Sequence, residues 1–509
     1  MSPQLQMLPR LAVEIDGTPL ALEQARTLWA VRVQQRLSLP TLCELTFLEP
    51  ADGLASGEIL SPGAALRVRV AASDELLFNG EVTAIEHIYE PSRGREVRVR
   101  GYDVLHRLRK RQPVRAHVQQ SLADLITEIV ADLGLTVDAP NPGPLRQRVV
   151  QFRESDFELM VEAAERCGLF ITLRDQTLHV LTLEGIGDAV TLRLGNSLLE
   201  ARIEVNGDAA CRSVSTTGWD PLRVEQHEGK ADSARSGRGV TATVEPADVG
   251  GSGERIIIDE LLGDDVQAEG IAQAELDLRT AREVILRGVA EGDSKLRPGT
   301  PVEIANVAGP LSGRYVLTSV DHTFDSVKGF VSSISTEPPL SRSRKSAPVA
   351  ALGVVTHVND PEGYGRIRVR LPTYKDIETD WMGVVTPGAG LGKGLLALPD
   401  VDDTVLVLLP SGDPANGVVL GGLYGMWKKD EWDWGVDETA VKRYTLRTPG
   451  GQRLRLDDTK QVVRLENSDG SFFEMTPEKV TVHSARDLQI EAPGCNLVIK
   501  AKKVDFQQG

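Results

Sequence analysis

The chain has 509 residues, 41% of them hydrophobic, and sets 57 Lys and Arg against 73 Asp and Glu for a formal net charge of -16. That length suits about three or four domains with packed cores, and so acidic a balance argues against a nucleic-acid binder, whose footprint is normally basic. No run of eighteen apolar residues occurs, and Met1 to Arg10 lacks the basic-then-apolar pattern of a secretion signal, so the expected location is the cytosol, at least initially.

From Leu11 to about Gly101 the pattern is strand-like. Ala12-Val13-Glu14-Ile15 runs into a turn at Gly17, and Ala65 to Val70 and Glu96 to Arg100 alternate polar with apolar, which predicts a small antiparallel barrel. Two helices follow. Ser121 is a good N-cap for the stripe Leu122, Leu125, Ile126, Ile129, Val130, Leu133, and Ser155-Asp156-Phe157-Glu158 has capping-box spacing before a helix ending at Cys167-Gly168. Leu169 to Leu173, a turn at Asp175-Gln176 and Leu178 to Leu181 predict a hairpin, completing an α+β insert. Strands return beyond Thr191, interrupted by a helix over Asp265 to Glu283, so a second barrel is expected. Part of Glu225 to Gly253, rich in Gly, Ser and charge, reads as an exposed loop. Pro338 to Ser346 disfavours packing and marks a boundary, with a new strand-rich domain from Ala350.

The C-terminal stretch has a different grammar. Val480-Thr481-Val482, Leu488-Gln489-Ile490, Leu497-Val498-Ile499 and Val504-Asp505-Phe506 each place two apolar residues on one face, and turn formers such as Pro493-Gly494 separate them. Each triplet is expected as one short strand. A repeat that buries nothing alone must stack on neighbours, and the simplest neighbours are other copies of the chain. An intertwined needle is therefore expected, its core lined by Val480, Val482, Leu488, Ile490, Leu497, Ile499, Val504 and Phe506. Trp427, Trp432 and Trp434 form an aromatic neck before it, suited to packing at a chain-chain seam.

Gly353 to Pro372, with the turn Asp360-Pro361-Glu362-Gly363 and the returning strand Arg366 to Leu371, resembles the OB-fold domain of VgrG-type spike proteins of contractile injection systems. The likeness continues through Trp381 to Pro387, Gly392-Lys393-Gly394, Leu398 to Val407, Gly412-Asp413-Pro414 and Val419 to Tyr424. Phe78 to Thr83, Tyr102 to Leu108, Arg153 to Glu158 and Ala164 to Gly168 are similar to the hub of the same spikes and of phage late-control proteins. The resemblance implies a mainly β fold with a small α+β insert: two hub barrels, an OB-fold domain and a C-terminal intertwined triple-stranded β-helix. The expected boundaries are a hub over 1–337 with its insert at about 115–185, a linker over 338–349, the OB fold over 350–425, and neck plus needle over 426–509.

The implied function is a homotrimeric central spike that caps a hexameric inner tube, organises the baseplate proteins and punctures the target envelope, touching the target membrane only transiently. Two barrels in each of three chains would match a sixfold tube. A PAAR-like tip protein is implied at Lys500, Ala501, Lys502, Lys503, Gln507, Gln508 and Gly509, with effector cargo as a further partner. Assembly in the cytoplasm would precede incorporation into a released or membrane-docked particle. Too few residues separate Tyr424 from Arg443 to hold a lysozyme domain, and the short ending is most like the spike of an extracellular or phage-tail-like injector. An envelope-degrading tail enzyme, or a type VI secretion VgrG carrying an effector, is the alternative.

No catalytic residue, cofactor or metal site is expected. His87, His106 and His117 are assigned to a strand, a helix-like turn and a loop, and no His-x-x-x-His pair is present. Gly388 to Gly394 lacks the spacing and the Ser or Thr of a phosphate loop. Ala350 to Gly425 carries five Lys or Arg against nine Asp or Glu, which disfavours nucleic acid on the OB fold. Cys43, Cys167, Cys211 and Cys495 lie far apart and read as buried free thiols.

Overall fold

The computed structural model describes residues 11–50, 52–55, 59–70, 75–90, 94–325, 327–340, 347–425, 434–437 and 439–507. The chain divides after Leu423 into two compact units.

In the first unit, eleven of the described strands form one sheet. Its order is Leu198–Val205, Val284–Glu291, Gly329–Ser335, Ser319–Asp325, Leu28–Arg36, Leu42–Leu48, Gly94–Tyr102, Glu75–Glu90, Ala65–Val70, Leu11–Ile15 and Thr18–Pro19. Period-two alternation decides which face is buried. Val31 lies opposite Leu45 and Leu45 opposite Val99, while Phe47 lies opposite Val97, and these side chains form one core with Leu66, Val68 and Phe78. A second core joins Leu286, Val320 and Ile334 of the large sheet to Leu192, Val302, Ile304 and Tyr315 of a smaller sheet, Val190–Arg193, Pro301–Ala305 and Gly313–Val316.

The two expected barrels thus correspond to two cores, but beneath one continuous sheet. Leu28–Arg36 pairs antiparallel with Ser319–Asp325, setting Val31 opposite Phe324 and Gln34 opposite Asp321. The pairing satisfies backbone groups that two separate half-sheets would leave as open edges, and the Arg32 guanidinium binds the Asp321 carboxylate beside it.

The insert follows its caps. Ser121 accepts from Asp124 N–H and Ser155 from Glu158 N–H, while the Asp124 and Glu158 carboxylates accept from the cap residues' own N–H groups, closing both capping boxes. The helices Leu122–Val130 and Asp156–Glu165 share a core with the hairpin Phe170–Arg174 and Thr177–Leu181. Asp175 turns that hairpin at φ 55°.

One sequence expectation is narrowed here and another changes. Glu225–Ala231 is a strand, paired along its length with Ser213–Asp220, so the expected loop is confined to the rest of that stretch, 232–253, which lies outside the named strands; the alternating charged residues of Glu225–Ala231 hide the period because neither face is strongly apolar. His117 lies on the strand Arg115–Gln120, not in a loop. The helix Asp265–Glu283 covers the Ser213–Asp220 sheet, with Ala272 and Leu276 against Val214 and Ala231.

The OB domain is a five-stranded sheet in the order Ile377–Glu378, Arg368–Leu371, Val349–His357, Thr404–Leu409, Val418–Gly422. Val355, Val369, Leu371, Val405, Val407 and Val419 fill its core. Its first turn is locked by a buried pair: Arg366 Nε and Nη2 each donate to Asp360 at 2.8 Å, and Asp360 also accepts from the N–H groups of Glu362 and Tyr364. These donors hold the Asp360 carboxyl well below the usual carboxylate range.

In the second unit, Arg443–Arg447, Arg453–Asp457, Val462–Glu466, Phe472–Met475 and Val480–His483 form an antiparallel meander. Of the four expected needle triplets only Val480-Thr481-Val482 lies in a strand; Leu488 to Ile490, Leu497 to Ile499 and Val504 to Phe506 lie outside any strand of the single chain. Cys43, Cys167 and Cys211 are buried, whereas Cys495, expected to be buried, is exposed. Both differences have one cause: within one chain this stretch has no neighbouring strand to pair with or pack on.

Beneath the large sheet His322 is fully buried, Nδ1 against the Ser332 hydroxyl at 2.9 Å and Nε2 against the Leu296 carbonyl at 3.1 Å. Nε2 then carries the proton and Nδ1 accepts. Burial lowers its pKa to about 4, while the unfolded imidazole binds a proton below about 6.5. Between those values the unfolded chain holds more protons, so hub stability should be fully present above about pH 6.5 and fall as pH drops toward 4. Denaturant unfolding at stepped pH should show that slope, and His322→Asn should flatten it; a wild-type hub equally stable at pH 4.5 and 7 would refute the assignment.

Candidate assembly interface

The meander is built by short turns that keep its register. Thr448 and Gln452 close the first, with Gly451 at φ 88°, and Asn467 and Ser471 close the third, with Gly470 at φ 92°. A slip of one residue would exchange the two faces. The observed register aligns Tyr444, Leu456, Val463, Met475 and Val480 in one cross-strand row and Leu446, Leu454, Leu465, Phe473 and Val482 in the next. Alternation places both rows on the same side. Nine of these ten residues are exposed, Val480 and Val482 at 61% and 59%.

The opposite side carries ion pairs and ring contacts of its own. Arg464 reaches Glu474 at 2.9 Å and Glu466 at 2.5 Å, Arg453 lies 3.5 Å from Glu466, and the Arg464 guanidinium stands 3.8 Å above the Phe472 ring. Phe472 in turn stacks on His483 at 4.9 Å between centroids. One face carries its own ion pairs, and the other presents nine of its ten apolar side chains to water. A sheet of this kind needs its apolar face covered for independent stability, and fully burying a Leu, Val or Phe is worth roughly 1.5–3 kcal/mol over leaving it exposed.

The expected needle residues divide accordingly. Val480 and Val482 sit on the apolar face, while Leu488, Ile490, Leu497, Ile499, Val504 and Phe506 are exposed beyond it. Trp434 is half exposed and stands edge-on to Tyr424 at 4.9 Å; Trp427 and Trp432 lie outside the described residues. Lys500, Ala501, Lys502, Lys503 and Gln507 are exposed, and Gln508 and Gly509 lie outside the described residues. Sequence reasoning missed Tyr444, Leu446, Leu454, Leu456, Leu465, Phe473 and Met475. Their signal was present, since Arg453 to Asp457 and Val462 to Glu466 alternate as plainly as the triplets downstream.

Other sequence candidates have local structural explanations. His106 Nε2 contacts Glu81 at 3.0 Å and His117 Nδ1 contacts Glu128 at 3.3 Å. Among the described residues no three His, Cys, Asp or Glu side chains cluster to hold a metal ion. In the glycine-rich loop, Gly390 and Lys393 exchange two backbone hydrogen bonds of 3.1 Å, making a small hairpin between strands. No helix of the described residues is long and apolar enough to cross a membrane.

Because its ion pairs are only partly buried, Arg464→Ala is expected to cost the C-terminal unit about 1 kcal/mol, read by denaturant unfolding, with part of the difference lost in high salt. A loss several times larger would mean that the polar side, not the apolar one, holds the unit together.

Comparison with known proteins adds a family to this geometry. Residues 351–424 match the Type VI secretion system/phage-baseplate injector OB domain, and residues 9–326 match the Alg8 N-terminal domain. The type VI secretion system spike protein VgrG4b of Pseudomonas aeruginosa is 28% identical over 159 residues, which take in 30% of this chain and 18% of that protein. Among solved structures, the VgrG-containing PdpA-VgrG complex of Francisella is similar with a TM-score of 0.55 at 10% identity, covering 94% of this chain and 88% of that one. The E. coli c3393 protein, a type VI secretion component with structural similarity to the T4 tail proteins gp27 and gp5, matches with a TM-score of 0.52 at 13% identity, over 81% of this chain and 99% of that one. The Alg8 N-terminal domain match spans more than half of the chain and the injector OB domain follows it in order, so the chain belongs to the Alg8 N-terminal domain family, carries the injector OB domain and is similar to VgrG spike proteins.

Proposed function

We propose that the chain works as a homotrimer, the central spike of a contractile injector, which caps the inner tube, organises the baseplate and is driven ahead of the tube through the target envelope. The observation that carries this reading is the apolar face of the meander, ten residues wide, followed by apolar triplets that have no strand partner in their own chain. Three copies would bury the face around one axis and supply the missing ladders, giving an intertwined needle without open strand edges. An obligate interface of this kind is expected to exceed about 2,000 Å².

The hub supports the same reading. Its two cores lie under one continuous sheet, and in three chains six such cores would face a hexameric tube protein. Baseplate proteins would dock around this ring. The exposed lysines Lys500, Lys502 and Lys503 fit contact with a PAAR-like tip protein, and effector cargo would travel with the spike. Assembly would take place in the cytoplasm, and the finished particle would carry the spike outward.

Light scattering of the full chain should give three times the chain mass. Leu465→Asp should give the single-chain mass at the same concentration, because three carboxylates would otherwise be buried unpaired in an apolar seam. A trimer that survives this substitution unchanged would overturn the reading.

A further inference from the structure

The C-terminal unit contains two kinds of segment that differ in what a single chain can complete. From Arg443 to His483 every strand has its hydrogen-bonded neighbours in the same chain, joined by turns of a few residues. From Ser484 to Gln507 there is no strand at all, although the apolar triplets continue. Local antiparallel pairings close short loops and form readily. A rung that needs strands from separate chains first has to bring those chains together.

We propose that the meander Arg443–His483 is a trimerisation collar: it associates with two further copies of this chain through its apolar face before the needle exists, and the residues beyond Ser484 then pair outward from it. The proposal rests on the trimeric reading above. A second copy is the occupant that meets both needs on the page, because whatever covers the uncharged face must also bring partner strands to the segment that begins directly after it. An identical chain brings the same triplets in the same register. Once three collars meet, the three tails are tethered at one point, and pairing between them becomes effectively intramolecular, with a local concentration set by the few residues from the anchor. The collar's opposite side keeps its ion pairs and remains in water, which leaves one way to stack.

The division of labour predicts that association is held by the collar and not by the needle. A chain truncated after Ser484 should remain a trimer in light scattering, with a dissociation constant within about tenfold of the full chain. In the full chain, Ile490→Asp should likewise leave the trimer mass unchanged while amide exchange beyond Ser484 quickens, whereas Leu456→Asp should dissociate both lengths. A trimeric full chain with a monomeric truncated chain would overturn the collar while leaving the trimeric spike standing. Dissociation by Ile490→Asp with Leu456→Asp without effect would overturn it too. A full chain that is itself monomeric would remove the reading on which the proposal rests, and the proposal with it.

Discussion

A β-sheet with apolar side chains on one side has to set that side against another layer, and no such layer covers it among the described residues of the C-terminal unit. Arg464, Glu466, Glu474 and Phe472 complete one surface of the meander, while Leu454, Leu465 and Phe473 stand in water on the other. The same incompleteness then extends to the backbone, since the triplets from Leu488 to Phe506 find no strand to pair with. In the proposed trimer, association would answer both shortages together, and an interlocked ladder would suit a spike under load because force would be spread over many hydrogen bonds.

The first unit solves its edges differently. There the two cores, one near Leu45 and Val99 and the other near Leu286 and Ile334, are joined by the ladder between Leu28–Arg36 and Ser319–Asp325. That junction joins the two hub halves through one continuous hydrogen-bonded sheet. The OB domain has a core of its own filled from its five strands, and its first turn is fixed by the Asp360–Arg366 pair.

Much of this was legible in the sequence where the controlling interaction is local. The caps at Ser121 and Ser155, the hairpin turned at Asp175, the helix Asp265–Glu283 and the turn from Asp360 to Gly363 are all set by residues within a few positions of each other. What was misread depends on distant partners. The pairing of Val31 with Phe324 cannot be seen from either strand, so the continuous sheet that links the two hub cores was not anticipated. Glu225–Ala231 pairs as a strand although its own pattern is polar, and Cys495, expected to be buried, is exposed. On the apolar face of the meander, Val480 and Val482 were singled out from the sequence, while Tyr444 to Phe473 alternate as plainly but share that face only once five strands are set in register.

The central claim is that the apolar side of the meander is an interface between copies of the chain. Electron cryomicroscopy of the purified full chain tests it most directly. A threefold particle with Leu454, Leu465 and Phe473 of three copies in contact about its axis, continuing into paired strands beyond Ser484, is the predicted result. A well-ordered particle that leaves those side chains in water would contradict the account.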